Sequence, residues 1–398
     1  MTTSAKRVLI IGGGIGGTAA GVALRQAGLD AQVFERSPDL ARTHVGGCYV
    51  LWFAGVMSLS QLGLADKVHA RGHPVTRFEM CGANARVLSA ADVGEHGQSL
   101  GVMPVAVRRA DLLGVLTDAL DKDALHLGAT FRDVVQDSVT VTATFTDGRR
   151  ESGDVLVGSD GLDSSVRAHL HGLEPARHPG YAHWSAIADG DGGAPPGVFR
   201  VLHGDGARFA FFHIGDGRVC WWCVRNAPPG PAGDRYGDYD ELTSFFRGWD
   251  PTAAALLAAT PPKAIHRRDT LDRPPLRRWG RGRVTLLGDA AHAMTFDLGQ
   301  GAGTSLTDAV TLAAHLSDKP VLAGLRTYED LRRWVTTPLV RMSRLVGAAS
   351  SWDWPLGPKL NEAFVAAGRR GGTVGALKRD LRGHPAMLTE RGGERADT

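Results

Sequence analysis

The chain has 398 residues, of which 43% are hydrophobic and 22% are charged, a composition typical of globular proteins rather than of disordered or fibrous ones. This length predicts two domains, and 45 basic against 42 acidic residues give a formal net charge of +3, which argues against nucleic acid or an anionic membrane as partner. No run reaches the roughly 18 apolar residues of a membrane span, so none is predicted. The apolar run Val8–Ile11 is only as long as a strand, which favours a cytoplasmic protein over one with a signal peptide.

The chain opens with a predicted βαβ unit. RVLIIGG is expected to be a buried strand, IGGTAAGVALRQAG a helix rich in small residues, and DAQVFER a second strand. In the GxGxxG sequence between strand and helix, Gly12 allows a tight turn, Gly14 lets a pyrophosphate approach the backbone, and Gly17 permits close helix–strand packing. Glu35 closes the second strand 18 residues after Gly17, where a carboxylate can accept hydrogen bonds from a ribose.

The predicted secondary structure changes from α/β to mainly strands in the middle of the chain and returns to α/β afterwards. Arg108–Lys122 has helical periodicity, and TVTATFTDG and DVLVGSDG are predicted strands. His171–Pro275 is rich in Gly, Pro and aromatic residues, and its segments FRVLHG, RFAFFHIG and GRVCWWCVR are predicted to form a separate sheet. The strand in RVTLLGDAAH, a helix over about Gly303–Leu316 and helical sequence beyond Tyr328 then restore the α/β pattern. A sheet-based module inserted into an α/β domain accounts for this order.

The four cysteines do not predict a metal site. Cys220 and Cys223 have the CxxC spacing of a metal or redox pair, but RVCWWCVR is typical of a strand, in which residues three apart point to opposite faces. Cys48 and Cys81 are isolated in sequence, so the second ligand pair that zinc requires is absent. We therefore interpret the cysteines as buried structural residues of a reducing compartment. A structural role is likewise expected for His292.

Two further motifs follow predicted buried strands. Asp160 and Gly161 come after DVLVGS, where they suit either a ligand crevice or an ordinary turn capped by Ser164. Asp289 follows VTLLG, and the segment GQGAG lies shortly before the next helix. A carboxylate at the end of a strand can hold a polyol hydroxyl, and a glycine-rich helix start can direct several N–H groups at an anion.

These motifs resemble those of a known family. GGGIGG with Glu35-Arg36, DGLDSSVR and LLGDAAH followed by GQGAG, in this order, are similar to the single-component FAD-dependent aromatic monooxygenases, the para-hydroxybenzoate-hydroxylase-like or group A enzymes. The resemblance covers about residues 6–345 and implies an α/β fold with a Rossmann-like FAD-binding domain and an inserted β-sheet substrate domain. The implied boundaries are 1–75, 100–172 and 276–345 for the FAD-binding domain, 76–99 and 173–275 for the substrate domain, 346–388 for C-terminal helices and 389–398 for a disordered tail.

The resemblance also implies which residues contact FAD. They are Gly12, Gly14, Ile15, Gly16, Gly17, Glu35, Arg36, Arg109, Asp160, Gly161, Asp289, Gly299, Gln300, Gly301, Ala302 and Gly303. The first five would hold the pyrophosphate, Glu35 the adenosine ribose, and Arg36 would lie beside the adenine. Arg109 would face the phosphate and ribityl region and Asp289 the ribityl chain, and the last five would offer N–H groups to the flavin pyrimidine edge. Asp160 and Gly161 match a second fingerprint that is linked to both FAD and NAD(P)H.

The activity implied by the resemblance is oxygen transfer. NAD(P)H would reduce FAD transiently, and no separate nicotinamide domain is expected because only one GxGxxG is present. A flavin C4a-hydroperoxide would then hydroxylate or epoxidise an aromatic or polyene small molecule, with specialised metabolism as the expected setting and a monomer or homodimer as the expected state. Two alternatives stay open: an oxidase or dehydrogenase of the same fold, and a flavin-binding protein without turnover.

Candidate substrate residues come from a loop and a hairpin. Phe296 stands where most relatives have proline, and both a substrate contact and a packing exchange are open interpretations; its presence motivates the oxidase alternative. Asp297 and Arg208 match the catalytic aspartate and substrate-binding arginine of the urate-hydroxylase-like branch, whereas Cys220 replaces that branch's tyrosine.

The hairpin predicted over 208–224 has two open registers. With a loop at Gly215–Gly217, one face carries Arg208, Ala210, Phe212, Cys220 and Trp222. A shift by one residue selects Phe209, Phe211, His213 and Trp221 instead. The residues predicted to line the substrate pocket are Phe296, Phe212, Cys220, Trp222 and His213.

Overall fold

A five-stranded parallel sheet forms the centre of the α/β part of the computed structural model, which describes residues 6–40, 47–230, 239–353 and 384–385. In spatial order its strands are β18 (Val284–Leu286), β12 (Val155–Gly158), β1 (Arg7–Ile11), β2 (Asp30–Glu35) and β8 (Leu125–Leu127). Val8, Leu9 and Ile10 are fully buried, because a helix packs on one face of the sheet and a second, smaller sheet on the other.

The helices of this part of the molecule pack along one another beside the sheet. They are α1 (Ile15–Gln26), α2 (Phe53–Gln61), α3 (Ala65–His69), α5 (Arg109–Asp118), α6 (Ser165–His171), α9 (Asp289–His292), α10 (Gly301–Asp318) and α11 (Val321–Ser350). Helix α10 contacts α1, α2 and α11. Its approach to α2 depends on glycine, because a Cβ at Gly55 would lie 3.0 Å from the Cα of Gly303.

Two three-stranded antiparallel sheets complete the α/β part. One consists of β9 (Phe131–Gln136), β10 (Val141–Phe145) and β11 (Arg150–Gly153), and the other of β3 (Cys48–Leu51), β4 (His73–Pro74) and β7 (Val105–Arg108). The first covers the central sheet, with the ring of Phe145 4.8 Å from that of Phe34. The second contacts the large sheet described next through β4 and β7.

A seven-stranded sheet is built from two separate segments of the chain. In spatial order it contains β17 (His266–Asp269), β13 (Tyr181–Asp189), β16 (Arg218–Asn226), β15 (Ala207–Gly215), β14 (Val198–Gly204), β5 (Arg77–Gly82) and β6 (Val87–Asp92), accompanied by helices α4 (Val93–Ser99), α7 (Tyr239–Phe245) and α8 (Pro251–Ala258). One face packs toward the α/β core, and α8 covers the other.

Most predicted elements are confirmed, with changes at their ends. The βαβ opening and the strands of the hairpin are present, and Cys220 and Cys223 lie buried on opposite faces. The helix predicted over Arg108–Lys122 ends at Asp118. A turn follows it, in which the Leu120 N–H donates to the Thr117 carbonyl oxygen and the Leu120 side chain is buried. The C-terminal part of the chain predicted as helices beyond Ser350 and as a tail lies almost wholly outside the described residues. None of the described helices is long and apolar enough to cross a membrane.

Candidate functional site

The candidate cofactor site, here called the cleft, lies at the carboxyl edge of the central sheet. Strands β18, β12 and β1 are parallel neighbours, so their carboxyl ends bring Asp289, Asp160 and Gly12 to the same edge. Gly12 has φ +107°, and a Cβ there would overlap the carbonyl oxygen of Ser159. A Cβ at Gly17 would likewise overlap the carbonyl oxygen of Gly12, so both glycines are required by the packing of the protein itself.

Gly14 differs from these two glycines because its surroundings are open. No described atom lies within 4 Å of a Cβ built at Gly14, the N-cap of α1, and no described side chain caps this helix. The first N–H groups of α1 therefore point at free space beside a backbone without a side chain. This arrangement fits a pyrophosphate. Ile15 and Gly16 are buried in the same helical turn.

Glu35 is held at the carboxyl end of β2 by backbone groups. The N–H of Gly13 donates to its Oε2 at 2.7 Å, and the N–H of Ser37 donates to Oε1 at 2.8 Å. Each carboxylate oxygen keeps a second lone pair, which can accept a ribose hydroxyl. Arg36, the next residue, is exposed.

Asp160 serves mainly to start a helix. Its Oδ2 accepts the N–H groups of Ser165 and Val166 at 2.7 and 3.2 Å, and its Oδ1 accepts the hydroxyl of Ser164. The capped turn that the sequence left open is therefore present, and both carboxylate oxygens already accept hydrogen bonds. Asp160 borders the cleft through its backbone, with its Cα 2.8 Å from a Cβ built at Gly12, and Gly161 beside it has φ +82°.

The loop that carries Asp289 is anchored by a buried carboxylate that the sequence analysis did not single out. Asp308 of α10 accepts the N–H of Gly288 at 3.0 Å and lies 2.6 Å from His292 Nε2, both on Oδ2, while Arg332 Nε donates to Oδ1 at 2.7 Å. Burial would raise the pKa of Asp308, but the charges of His292 and Arg332 hold it below its ordinary value. Asp289 itself is exposed at the start of α9.

Through its contact with Asp308, His292 helps to anchor the loop that begins at Gly288. Among the described residues there is no group of three or more His, Cys, Asp or Glu side chains that could hold a metal ion. An acidic residue within the apolar sequence of α10 was the only available signal for Asp308, and it does not identify the partners.

The glycine-rich segment contributes open backbone groups to the same cleft. Gly299 has φ +61°, and α10 begins at Gly301 without a cap from any described side chain. Trp52 Nε1 lies 3.2 Å from a Cβ built at Gly299; it and Arg109 Nε are buried donors with no acceptor in the described part of the chain. Gln300 is buried and Ala302 partly buried.

Arg109 opens α5, and its backbone N–H donates to the carbonyl oxygen of Gly47 at 3.1 Å. Burial raises the pKa of Tyr49; the charge of Arg109 opposes this shift and that of Asp289 adds to it. Orphaned donors, two uncapped helix starts and a glycine open to a ligand fit FAD, whose diphosphate and ring edge are rich in acceptors.

The hairpin has the first of the two predicted registers. Phe212 pairs with Cys220 and Ala210 with Trp222, and together with Arg208 their side chains face the α/β core. The alternative face, which contains Phe209, Phe211 and Trp221, packs with Phe246 and α8 on the far side of the sheet.

His213 does not join the substrate-facing side chains, which corrects its assignment to the pocket. Its Nε2 lies 2.9 Å from the carbonyl oxygen of Ala194, and its ring lies 5.2 Å from that of His73. The physical reason is the alternation of side chains along β15, which turns His213 away from Phe212.

A buried ion pair lies at one end of this face. Arg208 Nη1 is 2.6 Å from Asp297 Oδ1, with the two side chains 3% and 0% exposed. The Tyr181 hydroxyl donates to Asp297 Oδ2 at 2.6 Å, and burial together with the charge of Asp297 raises the pKa of Tyr181, so this hydroxyl keeps its proton. Arg208 Nε and Nη2, on the other edge of the guanidinium, are buried without an acceptor among the described residues. Tyr181 could not be found from sequence, because 116 positions separate it from Asp297.

Aromatic rings surround the ion pair. The ring of Phe296 lies 5.3 Å from that of Trp222 and 4.9 Å from that of His183, and the Arg208 guanidinium lies 5.9 Å from its centroid. Phe296 is half-buried: its ring packs against the hairpin, and part of its surface stays exposed. Burial lowers the pKa of His183 to about 4, which leaves this ring neutral near pH 7.

The other end of the face is apolar. Phe199 packs against Phe212 at 5.1 Å and against Trp52 at 6.1 Å between ring centroids. Cys220 also lies here, where its thiol forms a hydrogen bond with the thiol of Cys48; this bond and burial raise the pKa of Cys48. Cys48, isolated in the sequence, is thus a neighbour of Cys220 in space.

Comparisons with known proteins bear on this site. A family model described as "FAD binding domain" matches residues 5–187 and 258–343. The aurachin C monooxygenase/isomerase of Stigmatella aurantiaca is 35% identical over 347 residues, covering 87% of this chain and 90% of that protein. An FAD-dependent urate hydroxylase of Klebsiella pneumoniae is 34% identical over 333 residues, covering 82% and 85%. The structure of Klebsiella pneumoniae HpxO complexed with FAD and uric acid superposes with a TM-score of 0.87 at 29% identity, covering 96% and 98%.

Proposed function

Because the chain belongs to the FAD-dependent group A flavoprotein monooxygenases, we propose that it uses NAD(P)H and O2 to hydroxylate or epoxidise a planar, largely apolar small molecule. The observation that carries this proposal is the face of the hairpin: aromatic side chains around one buried ion pair, turned toward the part of the molecule that carries the cleft. Bound FAD would accept electrons from NAD(P)H and activate O2, and the residues of the chain would bind FAD, bind the substrate and exclude water.

The position of each cleft residue suggests which part of FAD it would bind. The first turn of α1 and Gly14 would hold the diphosphate, Glu35 the adenosine ribose, and Asp289 the ribityl hydroxyls. The uncapped start of α10 and Trp52 Nε1 would donate to the flavin ring edge.

The hairpin residues are proposed to bind and prepare the substrate. The ring of the substrate would lie against Trp222, Phe296 and Phe212, and these side chains would exclude water from the reacting atoms. The free edge of Arg208 would bind a substrate acceptor. Asp297 Oδ1 would take a proton from a substrate O–H or N–H, which makes the ring more electron-rich for attack by electrophilic oxygen.

The proposal is tested by following the fate of oxygen. We expect the purified protein to be yellow, and its NADPH or NADH oxidation to be stimulated by one member of a panel of phenols, purines, quinolones and polyenes. With ¹⁸O₂, the product should gain one labelled oxygen while little H₂O₂ is trapped. Stoichiometric H₂O₂ without an oxygenated product would instead establish an oxidase, and a protein that binds no FAD on reconstitution would contradict both.

Gly14→Ala tests the position of the diphosphate. We expect this variant to melt at the wild-type temperature, because the added methyl group meets no described atom, and to bind FAD at least about tenfold more weakly because it occupies the approach to the backbone. Gly17→Ala is the comparison: its Cβ collides with Gly12, so it should lower thermal stability as well. FAD affinity is read from flavin fluorescence, and unchanged affinity in Gly14→Ala would place the diphosphate elsewhere.

A further inference from the structure

A buried histidine with no assigned role lies beside Arg208. His203 of β14 is 6% exposed, and neither of its ring nitrogens has a hydrogen-bond partner in the described part of the structure. In the antiparallel pairing of β14 with β15, His203 stands directly opposite Arg208. Cross-strand partners share one face of a sheet with Cβ atoms about 5 Å apart, so both side chains project toward the proposed substrate site.

Both nitrogens of His203 need a partner that the described residues do not supply. Burial and the charge of Arg208 lower the pKa of His203 to about 3, so its ring is neutral near pH 7 and carries one N–H donor and one acceptor. Buried polar groups are nearly always satisfied by protein, water or ligand, and an unsatisfied one calls for an explanation. A ligand bound at the Arg208 edge that carries Nε and Nη2 would supply an acceptor for the His203 N–H and a donor for its other nitrogen.

The two residues together define a hydrogen-bonding pattern. Arg208 Nε–H and Nη2–H form a side-by-side pair of donors, which suits a carbonyl oxygen, and His203 adds one donor and one acceptor next to them. A ring carbonyl flanked by N–H or O–H matches this pattern.

The charge of the site favours some ligands with this hydrogen-bonding pattern over others. Arg208 already has Asp297 as counter-ion at 2.6 Å. A substrate carboxylate would bring a second buried anion close to Asp297, which is unfavourable in a site shielded from water. A neutral ligand avoids this repulsion.

We propose that His203 and Arg208 together select the substrate, and that the substrate is a neutral oxo- or hydroxy-substituted aromatic or heteroaromatic ring, not a carboxylate and not an unfunctionalised polyene. The apolar remainder of such a ring would lie over Val201 and Phe199, which precede His203 on the same face of β14. The inference deepens the proposed function and rests on it.

Three ligands that share a planar skeleton of two fused six-membered rings test this inference: 2-quinolone, naphthalene and 2-naphthoate. Calorimetric titration of the FAD-loaded protein should give a Kd for 2-quinolone at least tenfold below those of the other two. His203→Phe should raise the Kd of 2-quinolone at least tenfold and leave that of naphthalene unchanged or lower. His203→Gln, which keeps a donor and an acceptor, should restore most of the preference.

His213→Phe is the matched control, since His213 is a buried histidine on the adjacent strand that faces away from the site. It should leave all three affinities unchanged. If His203→Phe loses FAD, the smaller His203→Leu replaces it in the same titrations. A preference for 2-quinolone that survives removal of the imidazole, or wild-type protein that binds 2-naphthoate or naphthalene as tightly, would overturn the inference. Absence of FAD or of oxygenated product in the wild type would instead contradict the proposed function.

Discussion

Replacing Asp308 with asparagine is expected to lower the free energy of unfolding by about 3–5 kcal/mol, the scale measured when one partner of a buried charge network is removed. Asp308 Oδ1 accepts a hydrogen bond from Arg332 Nε at 2.7 Å. Its Oδ2 accepts the Gly288 N–H at 3.0 Å and lies 2.6 Å from His292 Nε2. An amide of the same size must turn its NH2 toward one of these donors, and it removes the negative charge that lies 2.7 Å from Arg332 Nε. Denaturant unfolding of the FAD-loaded protein measures the change.

The control for this variant is Asp330→Asn on the surface of α11. Asp330 is 72% exposed and pairs with Arg333 at 2.7 Å, so its loss should cost at most about 1 kcal/mol. Equal effects of the two substitutions would contradict the importance of the buried cluster.

The buried cluster also predicts a pH dependence. Since the folded-state pKa of Asp308 is depressed, its stabilising contribution is complete above the unfolded pKa of about 3.9 and is lost as the pH falls through the lower folded value. The difference in unfolding free energy between the wild type and Asp308→Asn should therefore become smaller as the pH is lowered through that range.

Asp297→Asn is expected to reduce oxygenated product formation by about a hundredfold to ten-thousandfold, the range that a positioned proton acceptor contributes. The asparagine cannot accept the substrate proton, and Arg208 loses the charge that lies 2.6 Å from its Nη1. FAD content should remain at the wild-type level because Asp297 lies outside the proposed FAD contacts. The measurement is product formed per NAD(P)H consumed, with H₂O₂ trapped in parallel, on the best substrate of the panel.

Tyr181→Phe separates positioning of the carboxylate from its chemistry. This variant removes only the hydroxyl that donates to Asp297 Oδ2 at 2.6 Å, so turnover should fall by roughly tenfold, the effect of one hydrogen bond to a charged group. Wild-type product formation by Asp297→Asn would exclude Asp297 as the proton acceptor, whatever Tyr181→Phe does.

Much of the α/β part could be predicted because its signals are local. The strand before Gly12, the small-residue helix after it and the apolar strands before Asp160 and Asp289 are each visible within about ten residues of sequence. Parallel strands then bring their carboxyl ends to one edge of the sheet, which is a general property of this fold class. Asp160 shows the limit of such reasoning, because the residues alone suited both a ligand crevice and a helix cap.

The sequence by itself determined the family and the fold class, since turn conformation, strand hydrophobicity and motif order are properties of contiguous residues. Only the tertiary structure decided which face of the hairpin meets the site, because a shift of one residue in a strand reverses every side chain. It also decided which residues lie beside Arg208, namely His203 on the neighbouring strand and Asp297 from a distant loop, with which it forms an ion pair. Contacts between residues far apart in the chain depend on packing, and no local pattern specifies them.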